Sequence, residues 1–288
     1  MKERIEYFDV LRLIACFLVI LTHSVMPSAD GTDGLYIFGL SFISSPSSEL
    51  FLAISGALLL PTKVSMGQFY KRRFTKLLPP LIIWSVIGGL VEVFLNRFTV
   101  EQYVDALLML PFRPIISVYW FMYVMVGLYL AAPIISEWLK QSTQKQLHFV
   151  LLIWFVTLLW PYFNIMLGTS YGEIGSHYQT LNFFGGFWGY WVLGYYLRRF
   201  PIKIGMNVRF VIPVVVLLIN TGVVVYCKLM TTNSTADLLS NLQVGSAAMI
   251  VLIFTIIQAL SLQLADNKSI KWGGGLFQSL QNTPLVFI

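Results

Sequence analysis

Two ionisable side chains in the first apolar run are the residues best placed to do chemistry. Arg12 and His23 stand eleven positions apart, and Asp9 precedes Arg12 by three. On an α-helix, eleven positions close three turns plus about 20°, so the two share a face roughly 16 Å apart along the axis. Asp9 falls near the same stripe. Ionisable groups inside a membrane span cost several kcal/mol to insert unless they are paired or wet. Three on one stripe therefore point to a cavity or to other helices. An imidazole so placed can act as general base toward a hydroxyl, or carry an acyl group itself. The plainer alternative has Arg12 snorkelling to one membrane surface and His23 sitting in the opposite interface.

A second constellation opens the next apolar run, Ser44-Ser45-Pro46-Ser47-Ser48-Glu49. Serine favours helix caps and proline the first helical position, so a helix is predicted from Pro46, with Glu49 about one turn in. Glu49 then lies at the depth of His23. A carboxylate accepting from one imidazole nitrogen would fix the tautomer and raise the basicity of the other. Alternatively, Glu49 only favours the positive end of the helix dipole.

Lys71, Arg72, Arg73 and Lys76, leading into the third span, put four cations into six residues. They suit phosphates, or else topology and lipid headgroups. Tyr119 and Trp120 open an aromatic run at the predicted outer start of the fourth span. They form an interface belt or line a site. Arg113 just before them, and His177 further on, are candidates for contact with an acceptor. His148 is expected to be structural. Cys16 and Cys227 lie in apolar runs without CxxC spacing, and no metal site is expected.

These residues hang on a chain built for lipid. It is 57% hydrophobic and only 11% charged, where a soluble domain carries about 25% charged residues. A bilayer solvates apolar surface that a water-soluble fold of this length could not hide. Spans are predicted near 7–26, 46–62, 77–95, 115–135, 147–166, 183–200, 208–229 and 242–264. A ninth apolar run begins near Leu276 and is short for a spanning helix, which leaves the chain's C-terminal completeness open as an expectation. The nine-residue stretch Leu35 to Ile43 is expected to lie in the interface or re-enter.

With the N-terminus placed in the cytoplasm, sixteen of the 19 basic residues fall inside, leaving Arg97, Arg113 and Lys228 outside. Random placement rarely gives such a split. It supports both the span count and a cytoplasmic N-terminus, with the charged start read as a retained signal-anchor helix. The formal charge of +6 is spent on this orientation, so nucleic acid is not an expected partner. The predicted fold class is all-α integral membrane, a polytopic helical bundle of about nine spans in one domain, 1–288.

At these residues the sequence resembles the acyltransferase 3 family of bacterial membrane acyltransferases. The helix 1 pattern Phe8-Asp9-x-Leu11-Arg12, followed by ten residues and His23, carries the likeness most strongly. Ser55-Gly56, the Lys71-Arg72-Arg73-Phe74 motif with Pro79, Tyr119-Trp120-Phe121 through Pro133, and Gly189-Tyr190-Trp191 through Leu197 are similar to further family patterns. The likeness covers nearly the whole chain. It departs in ending at a ninth span where the family has about ten, and in Ala57, where the family often has phenylalanine.

The resemblance implies an acyl-CoA donor, usually acetyl-CoA, bound from the cytoplasm of a bacterial inner (plasma) membrane. It implies an acceptor hydroxyl on a cell-surface polysaccharide, glycolipid or lipid-linked sugar, and a need for His23 and Arg12. On this reading Arg12, Arg72, Arg73 and Lys76 attract the phosphates of coenzyme A, and His23, oriented by Glu49, acts on the acceptor. The rival reading is an exporter of a glycan or lipid precursor, suited by intramembrane charge but lacking any internal repeat. A membrane-bound O-acyltransferase of the unrelated eukaryote-rich family is a third reading, disfavoured by the histidine's place on helix 1.

Overall fold

The computed structural model describes residues 6–25, 34–159, 185–205, 207–230 and 244–266. All regular structure among them is helical. Among the described residues, six stretches are long and apolar enough to cross a membrane: Tyr7–Ser24, Gly39–Leu59, Met66–Phe94, Ser117–Gln141, Val208–Tyr226 and Val244–Gln263. The protein is a polytopic helical membrane protein. The described residues fall into two compact units, one drawn from Met1–Leu59 and Thr143–Lys271, the other from Leu60–Ser142.

The first unit holds α1 (Tyr7–Val25), α2 (Gly34–Ser44), α3 (Ser47–Leu59), α7 (Gln144–Thr157), α8 (Trp188–Arg199), α9 (Val208–Met230) and α10 (Val244–Asp266). In α1 the buried stripe is Phe8, Leu11, Ala15 and Leu18, at helical spacing, while Leu13, Phe17 and Ile20 are exposed. The exposed apolar face needs lipid and not water. At the centre, α3 and α8 approach to backbone contact. A Cβ at Gly56 would lie 2.1 Å from the Trp191 carbonyl oxygen, and one at Gly194 would lie 1.8 Å from that of Ala53. Small residues at such crossings let helices meet where no hydrophobic effect drives them together. Trp154 of α7 donates its indole N–H to the Gly186 carbonyl at 2.9 Å. Arg198 reaches from α8 to the end of α3, donating to the Ala57 carbonyl at 2.6 Å and resting over the Phe8 ring. The base of α3 is thereby capped by a cation, as helix C-termini favour.

The second unit holds α4 (Met66–Phe94), α5 (Val100–Leu108), a 3₁₀ turn at Ser117–Tyr119 and α6 (Trp120–Gln141). α4 and α6 run antiparallel. Near one end the Tyr70 hydroxyl donates to the Leu130 carbonyl at 2.9 Å. Toward the other, bare Cα positions at Gly88 and Gly89 make room for Ile116 and the Tyr103 ring.

Three expectations change here. The stretch 35–43 is a helix packed on α1, and its second half joins α3 in one span, Gly39–Leu59. α3 begins at Ser47 and not at Pro46, whose carbonyl instead accepts the Leu50 N–H at 2.9 Å. Pro46 has no N–H to continue the ladder of α2, so the span is broken there. The basic motif is already helical. It lies inside α4, which starts at Met66, because nothing before Pro79 interrupts the helix and lysine and arginine are good helix formers. The ninth apolar run lies outside the described residues.

Candidate functional site

The unbroken helix α1 carries Arg12 and His23 on one flank, about a quarter turn from its buried stripe. Arg12 donates to Asp9 at 2.6 Å, with 46% of the arginine side chain and 21% of the aspartate exposed. That pairing, one helical turn long, offsets much of the cost of two charges near the start of a span. His23 is in the last turn of the helix and is exposed. The two are therefore at opposite ends of α1 and cannot act as one compact dyad.

Beside Thr22, the neighbour of His23, the structure gathers polar groups that the sequence marks only as caps, or not at all. The Thr22 hydroxyl lies 3.1 Å from the Ser44 carbonyl and 3.3 Å from the Ser47 hydroxyl. The Ser246 hydroxyl of α10 donates to Ser45 at 3.1 Å. Ser44, Ser45, Ser47, Glu49 and Ser246 are all buried. Ser47, which meets Thr22, the neighbour of His23, precedes Glu49 by two positions on α3. No hydrogen bond joins Glu49 and His23, however. Neither carboxylate oxygen is bonded at all, and the approach of its own backbone N–H falls short of bonding geometry. Ser246 stands 201 positions from Ser45, and no pattern in the sequence signals that meeting.

The second unit holds the cationic and aromatic candidates. On α4, Lys71, Arg72 and Lys76 are exposed, and Arg72 and Lys76 share a face one turn apart. Arg73 turns inward, over the Phe69 ring at 5.8 Å and within hydrogen-bonding reach of the Tyr129 hydroxyl. At the same end an open cleft of about 640 Å³ runs along residues 61–66 and the last turns of α6, with Lys63 and Lys140 among its walls. Lys140 pairs with Glu137 at 2.6 Å. Arg113, Tyr119 and Trp120 lie at the opposite end. The Tyr123 hydroxyl donates toward the carbonyls of Leu110 and Arg113, the latter at 3.1 Å, and so fixes the turn that presents the exposed Arg113 guanidinium. The cationic and aromatic sets thus occupy the two ends of the α4–α6 pair. His148 ties α7 to α8 through a 2.6 Å contact between its Nε2 and the Tyr196 hydroxyl. His177 lies outside the described residues. No group of metal-ligating side chains forms among the described residues.

The acyltransferase domain that defines the acyltransferase 3 family matches residues 5–283. The chain belongs to that family. No curated protein and no solved structure matches it. As a member of the acyltransferase 3 family with six described membrane-length helices, the protein is a membrane acyltransferase, and the exporter reading gives way.

Proposed function

We propose that this acyltransferase moves an acetyl group from acetyl-CoA, taken up at the cytoplasmic side, to a hydroxyl of a cell-surface polysaccharide or glycolipid in the bacterial inner membrane. The observation that carries the reading is α1 itself, one continuous helix with a cation at its first turns and an imidazole in its last. The bias of basic residues assigns the Arg12 end to the cytoplasm. Arg72, Arg73 and Lys76, on the same side by that bias, supply the guanidinium and ammonium groups that phosphates of coenzyme A require. Arg12 belongs to the donor end of α1, and His23 to the acceptor end. Arg113, Tyr119 and Trp120, on the outer side by the same bias, are proposed to meet the acceptor, with His177 as a further contact.

In the transfer step the acceptor oxygen attacks the thioester carbonyl, a C–O bond forms and the C–S bond breaks. His23 takes the hydroxyl proton as the oxygen attacks and returns it to the departing thiolate, so the reaction is balanced without a net proton. An acyl-imidazole route, in which His23 attacks the thioester and releases the thiol before the acceptor oxygen takes the acyl group from the ring, balances equally. Both routes need the ring of His23. His23→Gln should leave the protein folded in detergent and reduce transfer of labelled acetyl to below a hundredth; near-normal transfer would sink the assignment. Glu49 serves His23 only if the two come within hydrogen-bonding reach, and no hydrogen bond joins them here.

A further inference from the structure

Glu49 is the third residue of α3, and the residue whose carbonyl accepts the first helical bond is Pro46. A glutamate or glutamine at that place ordinarily reaches back to the capping residue's backbone N–H. The chain does this twice elsewhere: Gln102 accepts from the Thr99 N–H at 2.9 Å, and Gln146 from the Thr143 N–H at 2.8 Å. Pro46 has no N–H to give. The sequence thus puts a capping-type carboxyl where the cap cannot be made, then buries it completely. Both oxygens are without a hydrogen bond, and a polar group buried unbonded is held at a cost in free energy. A partner that arrives with the substrate would relieve that cost.

The groups around it say what kind of partner fits. Ser45 accepts from Ser246 and keeps its own O–H to donate. Ser47 and Thr22 share a contact one residue from His23. A carboxyl group beside hydroxyls that both donate and accept matches a neutral polyol, each of whose hydroxyls does both. We propose that the break between α2 and α3 is a recognition subsite for a neutral sugar of the acceptor, in which Glu49 receives a hydrogen bond from a hydroxyl adjacent to the one that is acylated. This rests on the glycan O-acylation proposed above. Pro46 carries no helical hydrogen bond back into α2, so the chain can open at that break when the sugar enters, drawn by a bond available only in the bound state.

The test uses the full-length protein in detergent, labelled acetyl-CoA, and alkali-deacylated envelope polysaccharide from a strain lacking the enzyme as acceptor. Transfer is measured against polysaccharide concentration for the wild type, Glu49→Gln, Glu49→Ala and Ser45→Ala. Loss of one hydrogen bond to a buried acidic acceptor corresponds to about tenfold to a hundredfold in affinity. Glu49→Ala should raise the acceptor KM by about that factor and leave the acetyl-CoA KM within about twofold. Glu49→Gln, which keeps one acceptor oxygen, should fall between it and the wild type, and NMR of the product should show acyl groups spread over more sugar positions. A drop in kcat with the acceptor KM unchanged would mean that Glu49 acts through His23 and would overturn the subsite. Unaltered kinetics and regiochemistry would overturn it as well. If the Glu49 variants do not accumulate, the acceptor KM of Ser45→Ala decides alone, a rise supporting the subsite and an unchanged value overturning it. No transfer by the wild type to this polysaccharide would instead overturn the proposed function beneath it.

Discussion

The crossing of α3 and α8 gives the most quantitative handle on this protein. In Gly194→Ala the added Cβ lies 1.8 Å from the Ala53 carbonyl oxygen, and in Gly56→Ala it lies 2.1 Å from that of Trp191. Carbon and oxygen in contact need roughly 3.3–3.6 Å, so the helices must separate by about 1.5 Å or bend. The obstacle is backbone on both sides, so no rotamer change relieves it. Overpacking of this kind costs about 1–3 kcal/mol, and the rigid partner favours the upper end. Alanine regains up to about 1 kcal/mol of helix propensity, leaving a net loss near 2 kcal/mol. Gly222→Ala in α9 is the control, because its Cβ meets nothing within 4 Å and only the propensity gain remains.

The two crossing substitutions push the helices apart along one direction, so the double variant should cost clearly less than the sum of the singles. Unfolding midpoints of the four variants in one detergent, by tryptophan fluorescence at a fixed scan rate, make the comparison. Transfer activity below the midpoint should also fall, because a shifted α3 stretches the 3.3 Å Thr22–Ser47 contact beside His23. A Gly194→Ala protein as stable and active as Gly222→Ala would refute the reasoning.

The double variant Arg72→Gln with Arg73→Gln should raise the acetyl-CoA KM by at least about tenfold, as expected for loss of charge-assisted phosphate contacts, with turnover at saturating donor little changed; an effect on turnover alone would contradict the donor role. A cysteine at position 140, made by Lys140→Cys, should react with an impermeant maleimide only after the cells are opened, and Arg97→Cys should react in intact cells, if the N-terminus is cytoplasmic. His148→Ala removes a 2.6 Å tie between α7 and α8 and should lower stability by about 1 kcal/mol without altering either substrate's KM, as steady-state kinetics beside the melting curve will show.

The spans near 7–26, 208–229 and 242–264 were legible because lipid demands long unbroken apolar runs, and α1, α9 and α10 follow them within two residues at either end. The shared face of Arg12 and His23 was legible for a related reason: the helical period fixes it whatever else the chain does. The start of α4 was not, since charge ahead of an apolar run does not say whether the helix has already begun. Nor was the fate of Glu49. Its neighbours in sequence place it at the depth of His23, but whether its oxygens are bonded depends on which residue caps α3, and one position decided that: the cap is Pro46, which has no N–H.

The meetings of Thr22 with Ser47 and of Ser45 with Ser246 were decided only by tertiary packing, as was the contact of Gly56 with Trp191 and of Gly194 with Ala53. Periodicity describes one helix at a time, and these contacts join helices far apart in the chain. The sequence by itself therefore determined that this is a membrane-spanning helical protein with a cation and an imidazole at the two ends of its first helix. The tertiary structure decided what packs beside the outer turn of that helix: buried hydroxyls from three helices, with a carboxyl without a hydrogen bond on α3.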